Sequence, residues 1–217
     1  MEILYAVVRF FQEGGIFMYP ILAIFALGLA IAIERYLYLS YVRANNRRMW
    51  NRLQPLLEAG KLGQALELTI GSKAAVSNIL GYGLNRLKSG RDRDEMESAM
   101  EEGLMEVIPR LEKRTHYLAI FANIATLLGL LGTIMGLTEA FTAVSGASPA
   151  DKADLLSASI SVAMNTTAFG LMVAIPLLLA HAIMQTKTTE LVDSLEMATV
   201  RITNLIASEG EPLPDLT

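Results

Sequence analysis

"YLAIFANIATLLGLLGTIMGLT", Tyr117 to Thr138, runs for 22 residues without a charge. As a helix rising about 1.5 Å per residue it reaches roughly 33 Å, against a hydrocarbon core of about 30 Å. Two more such runs frame it: Ile16–Ile33, 18 residues, and Leu155–Ala180, 26 residues. They reach roughly 27 and 39 Å by the same rise. The three are the longest uncharged apolar stretches of a 217-residue chain that is 53% hydrophobic. No strand-like alternation appears elsewhere, so the fold class is all-α: an integral membrane protein with three transmembrane helices, and long helices extending into the cytoplasm. The first run is read as a retained span rather than a signal peptide. Glu2, Arg9 and Glu13 before it do not make a basic region, the run is longer than a usual signal core, and Glu34-Arg35 follow at once.

Charge placement gives the orientation. Fourteen of the eighteen Lys and Arg lie between Arg35 and Arg114, whereas the segment before the first span has only Arg9 and the connector before the third has only Lys152. Basic residues close to span ends mark the cytoplasmic side. The expected order is therefore an outer interfacial segment (1–15), transmembrane helix 1 (16–33), a cytoplasmic helical region (34–116), transmembrane helix 2 (117–144), a periplasmic turn (145–154), transmembrane helix 3 (155–184), and a cytoplasmic C-terminal helix and tail (185–217). Ile3, Val7, Phe10 and Phe11 suggest a short interfacial helix over 1–13, with a bend at Gly14-Gly15. Within 34–116, helix breaks are expected near Gly60, at Gly71 and at Ser89-Gly90. From about Asp92 the pattern carries no further stop, which predicts one long helix through Val144, with Pro109 as the place for a kink. Leu191, Leu195, Ala198, Ile202 and Leu205 form a coiled-coil-like seam in the C-terminal helix, and the polar, proline-bearing "SEGEPLPDLT" after it reads as disordered.

The second span carries glycines where lipid-facing bulk would be expected. Ala122, Ala125, Gly129, Gly132, Gly136, Ala140 and Ala143 are spaced three or four apart, which at 100° per residue confines them to an arc of about 80°. In lipid no hydrophobic force joins helices, so a smooth stripe gains its contact by letting backbones approach. The third span repeats the device with Ala163, Thr167, Gly170 and Ala174. Hydroxyls accompany both faces: Thr126 and Thr133 at one edge of the first stripe, and Asn165-Thr166-Thr167 inside the third apolar run. Membrane hydroxyls often only bond their own backbone or glue helices together, at roughly 0.6 kcal/mol per contact. Several hydroxyls and an amide gathered at matching depth read instead as a polar lining. Thr133 and Thr167 come level if the two spans form an antiparallel hairpin.

Glu139 lies near the outer end of the second span and His181 near the cytoplasmic end of the third, so both read as rim or interfacial groups that could titrate. No Asp or Glu stands in the middle of any span. If protons cross here, the acid that carries them comes from another chain. There is no cysteine, and the two histidines, His116 and His181, form no metal-ligand spacing. No nucleophile, base or phosphate loop has the spacing an enzyme needs. Neither a cofactor nor a nucleic acid is expected.

Several segments resemble a known family. "GGIFMYPILAIFALGLAIAIERYLYL", "YLAIFANIATLLGLLGTIMGLTEAF" and "TAFGLMVAIP" resemble the three spans of the MotA/TolQ/ExbB channel subunits, in the three-helix ExbB/TolQ branch, and "GKLGQALEL" and "GYGLNRL" resemble its cytoplasmic region. The resemblance implies a subunit of an ion-driven motor in the bacterial inner membrane. Such subunits form a ring, typically a homo-pentamer, around a single-span ExbD/TolR/MotB-like partner whose membrane aspartate carries the ion. It also implies that Thr133 and Thr167 line the ion path; the polar lining read above adds Thr166, Asn165 and Thr126, and the small-residue stripes assign Gly129, Gly132, Gly136, Ala163, Gly170 and Ala174 to helix packing. The chain departs from the branch at Thr126, where proline is common, at Val162, where glutamate is frequent, and at His181-Ala182, where Tyr-Asn is common. The resemblance favours the proton. Thr133, Thr166 and Thr167 could also offer oxygens to sodium, which leaves a sodium-driven motor as one alternative and a scaffold without ion conduction as another. A transporter would show internal repeats and broken spans, and neither is evident.

Overall fold

A computed structural model describes residues 10–11, 14–89 and 92–210. Every long ordered element among them is a helix: α1 (Met18–Glu58), α2 (Leu62–Thr69), α3 (Ala75–Lys88), α4 (Arg93–Glu112), α5 (Thr115–Gly146) and α6 (Lys152–Gly210). Helices α1 and α6, and the stretch holding α4 and α5, each contain a segment long and apolar enough to cross a membrane. The interfacial helix expected over 1–13 lies outside the described residues apart from Phe10 and Phe11, as does the tail after Gly210.

Two stops fall where glycine permits them. Gly60 (φ 67°) and Gly71 (φ 78°) take the left-handed turns that follow α1 and α2. One expectation is overturned. The helix predicted from Asp92 through Val144 is broken at Lys113–Arg114, and Arg114 itself is left-handed (φ 66°). No glycine marks this break. Helix α4 ends with the Lys113 amide donating to the Pro109 carbonyl at 3.1 Å, and Arg114 takes its left-handed conformation just before α5 starts. Conversely, the polar continuations of the first and third apolar runs are not separate helices: α1 runs 41 residues and α6 runs 59, the latter through Pro176.

The chain divides into two compact units. One takes the chain up to Arg35 together with Arg114–Ile183, and so gathers all three apolar runs; the other takes Tyr36–Lys113 and the chain from Met184 on. In the second unit, α3 and α4 pack at glycines. A Cβ on Gly83 would lie 2.5 Å from Met100 Cγ, and one on Gly103 3.0 Å from Ile79 Cα. Leu39, Leu53 and Leu57 of α1, and Leu191, Leu195, Ala198 and Ile202 of α6, are buried in this unit's core. Leu205, the last residue of the expected seam, is only half-buried. Asp92 caps α4, its carboxylate accepting from the Arg93 amide at 2.7 Å, and Asp94 and Glu95 add negative charge to the helix's positive end.

Candidate functional site

The first unit reverses the usual order of size. Large side chains such as Leu127, Leu130, Ile134, Phe141, Ile175 and Leu179 are exposed, while the buried positions of α5 are Thr115, Leu118, Ala122, Ala125, Gly129, Gly132, Gly136 and Ala140. This is the arrangement expected of helices whose outer faces meet lipid or further protein and whose inner faces gain contact by close approach. Ala143, at the end of the stripe, is exposed.

Distances show how tight the approach is. A Cβ on Gly129 would stand 3.2 Å from Thr167 Cα and 3.3 Å from Gly170 Cα. One on Gly170 would stand 2.7 Å from the Ala125 carbonyl oxygen, and one on Gly136 2.9 Å from Ala163 Cβ. A Cβ on Gly132 would run into the Thr166 methyl. Ala163 and Ala174 of α6 are buried on the same side. Only residues without bulk fit where these two backbones meet.

That approach brings two hydroxyls together. Thr133 Oγ1 and Thr167 Oγ1 are 2.7 Å apart, and each also lies within donating distance of the Gly129 carbonyl, at 3.2 and 2.8 Å. Both threonines are half-buried. The result is a cluster of three oxygens, two hydroxyls and one carbonyl, at the surface of the unit. Thr126, two turns along α5 from Thr133, is exposed and donates to the Ala122 carbonyl at 3.1 Å. Asn165 is half-buried.

Thr166 lies elsewhere. It is 1% exposed, and its hydroxyl hydrogen bonds to the Gly14 carbonyl at 2.5 Å and to the Val162 carbonyl at 2.9 Å. Gly15, with φ 74°, turns the chain into α1 beside Val162. Phe10 and Phe11 meet Phe169 edge-on, with ring centroids 6.4 and 5.8 Å apart. Thr166 and Phe169 thus hold the segment before α1 against α6. The face of α6 drawn as Ala163, Thr167, Gly170 and Ala174 is wider than that: Thr166, Val173 and Leu177 are buried with it. Leu177 packs where a Cβ on Gly28 of α1 would stand, 2.6 Å from Leu177 Cδ2. Helix α6 therefore serves α5 and α1 at once, and the Gly14 contact, spanning 152 positions, has no periodic signal in the sequence. The Gly14-Gly15 pair is its one visible trace.

Glu139, six residues beyond Thr133 on α5, is exposed, and His181, fourteen beyond Thr167 on α6, is half-buried. Arg35, counted above among the basic residues that set the expected orientation, is 2% exposed just after the first apolar run. Among the described residues no group of His, Cys, Asp and Glu could hold a metal ion.

The chain is similar to membrane transport proteins. The family described as the MotA/TolQ/ExbB proton channel family matches residues 72–197, more than half of the chain. The putative biopolymer transport protein ExbB-like 3 of Synechocystis sp. is 30% identical over 169 residues, covering 77% of this chain and 80% of that protein. The putative biopolymer transport protein ExbB homolog of Methanothermobacter thermautotrophicus is 30% identical over 194 residues, covering 88% and 67%. The Tol-Pal system protein TolQ of Haemophilus influenzae is 37% identical over a shorter 83 residues, 38% of this chain and 36% of that one.

Proposed function

The chain belongs to the MotA/TolQ/ExbB proton channel family, and on that premise we propose that it is the ring-forming subunit of an inner-membrane motor driven by protons. Several copies, five by family resemblance, surround a single-span ExbD/TolR/MotB-like partner, and ion flow through the contact does mechanical work on the cell envelope. The N-terminus lies in the periplasm and the C-terminus in the cytoplasm, with the spans and connectors bounded as the charge distribution sets them. The observation that carries the reading is the Thr133–Thr167 pair. Two hydroxyls 2.7 Å apart sit half-exposed on helices smoothed by glycine, in a chain with no acid at the middle of a span. A carboxylate from a partner helix would find donors there, and Thr126 and Asn165 extend the polar line. Thr166, buried beneath Gly14, acts by holding α6 in place. Gly129, Gly132, Gly136, Ala163, Gly170 and Ala174 set the close approach that makes the pair.

Sodium is the second reading, favoured by one observation: the cluster has three oxygens, and a dehydrated cation needs several such ligands. The test uses the assembled complex. Thr133→Val and Thr167→Val keep shape but remove a hydroxyl, and each is expected to abolish ion-coupled work while the complex still assembles. Full coupled activity in both variants would refute the lining role and leave a scaffold. Replacing sodium with potassium at fixed pH leaves output unchanged for a proton motor and stops a sodium motor.

A further inference from the structure

In the second unit a cleft of about 80 Å³ opens where α3 begins, between that helix, α1 and α4. Its lining includes Asn46, Lys73, Ala75, Asn78 and Arg110, with Tyr41 among its aromatic residues, and none of its twelve lining residues is acidic. We propose that this cleft is an oxyanion site that takes a phosphate group.

Three observations support the assignment. The first is the start of α3, a helix of 14 residues whose N-cap, Ala74, has no side chain able to cap it. Its first amides point outward with positive partial charge. Asn46, thirty positions away, supplies one cap: its Oδ1 accepts from the Val76 amide at 3.3 Å. The Ala75 amide has no acceptor among the described residues. The second observation is the other end of that same amide. Because Oδ1 is fixed on an N–H, Nδ2 is a donor, and it is buried without an acceptor in a residue only 7% exposed. Buried donors are almost always paired, and Asn46 is a residue of the cleft wall, so its orphan donor calls for an acceptor from outside the chain. The third is charge. Lys73 is exposed and makes no ion pair among the described residues, and Arg110 also lines the cleft, with one of its amines engaged by Glu106 at 2.5 Å. An oxyanion in the cleft would meet the Lys73 ammonium, the Arg110 guanidinium, the free helix amide and Asn46 Nδ2 together. This is the donor set that phosphate oxygens need.

Free phosphate and a phospholipid headgroup offer the same chemistry. Only the lipid source depends on the topology proposed above, which puts Tyr38 and Tyr41 near the level where the first span leaves the hydrocarbon; the phosphate chemistry does not. The test uses the full chain. In uncharged maltoside micelles it is titrated with inorganic phosphate by calorimetry. In parallel it is reconstituted in phosphatidylcholine nanodiscs containing a minor fraction of phosphatidylglycerol, and retained phosphatidylglycerol is counted by native mass spectrometry. One probe is expected to bind saturably. Asn46→Asp, which keeps the acceptor for Val76 but turns the donor into a carboxylate oxygen, should weaken it at least about tenfold, as should Lys73→Gln. Saturable phosphate without lipid retention identifies the free ion; retained lipid that phosphate does not displace identifies the headgroup. If neither probe saturates, or if both variants bind like the wild type, the proposal is overturned. Should Asn46→Asp lower the melting temperature, Lys73→Gln decides alone, since Lys73 lies at the surface.

Discussion

Single atoms decide the first unit's packing, and two glycines show the range. A Cβ on Gly170 would press on the Ala125 carbonyl at 2.7 Å, a backbone atom that cannot turn aside, whereas a Cβ on Gly63 in α2 would meet nothing within 4 Å. Gly170→Ala is expected to destabilise by about 1–3 kcal/mol. Gly63→Ala should be neutral or stabilising by up to about 1 kcal/mol. Thermal unfolding in detergent separates the two, and equal midpoints would contradict the close approach of α5 and α6. In the second unit, Tyr82 donates to Glu106 at 3.0 Å, and this bond, with the carboxylate's negative charge, raises the phenol's pKa above the usual 10. The folded state thus holds the proton more tightly than the unfolded one. The resulting stabilisation is present below pH 10 and is lost as pH rises through the folded value. In an absorbance titration, Tyr82 should ionise later in the wild type than in Glu106→Gln. Residues of this kind were unevenly legible beforehand. The stripe from Ala122 to Ala140 follows from 100° per residue. The burial of Thr166 rather than Thr167 does not, because it depends on the Gly14 carbonyl.

Among the elements, what sequence disclosed was where helices stop for want of a side chain, and what it concealed was where they stop or continue for other reasons. Gly60 and Gly71 announce their turns. The passage from apolar to charged residues after Ile33 and after Ala180 looks like a boundary, yet the backbone hydrogen bonds ignore it, because a helix is indifferent to which solvent each turn meets. The break at Arg114 carries no composition signal at all, and the strain there is measurable. A left-handed conformation costs a non-glycine residue about 1–2 kcal/mol. The Arg114–Glu34 pair, 3.9 Å long and half in solvent, returns little. Arg114→Gly is therefore expected to be about 1 kcal/mol more stable than Arg114→Ala, both having lost the ion pair. If the alanine variant matched or exceeded it in chemical denaturation, Arg114 would not be a strained residue.

For the molecule as a whole, the lack of native cysteine makes the proposed topology directly testable. Ala150→Cys should react with a membrane-impermeant maleimide added to intact cells, and Ser98→Cys, exposed on α4, only after the inner membrane is opened. The reverse pattern would invert the orientation. The family and the three spans were readable from the chain alone, since they rest on composition and long motifs. The oxygen cluster's detail was not, because it needs two backbones in register to a fraction of an ångström. Two hydrogens serve three short contacts there, so their direction is not unique. Thr167 can give its hydrogen to Thr133 while Thr133 turns its own outward, and what is surrendered is the two hydroxyl bonds to Gly129, whose carbonyl keeps the amide of its own helix. A newcomer's carboxylate can thus be greeted by rotating hydroxyls alone, with every heavy atom left where it was.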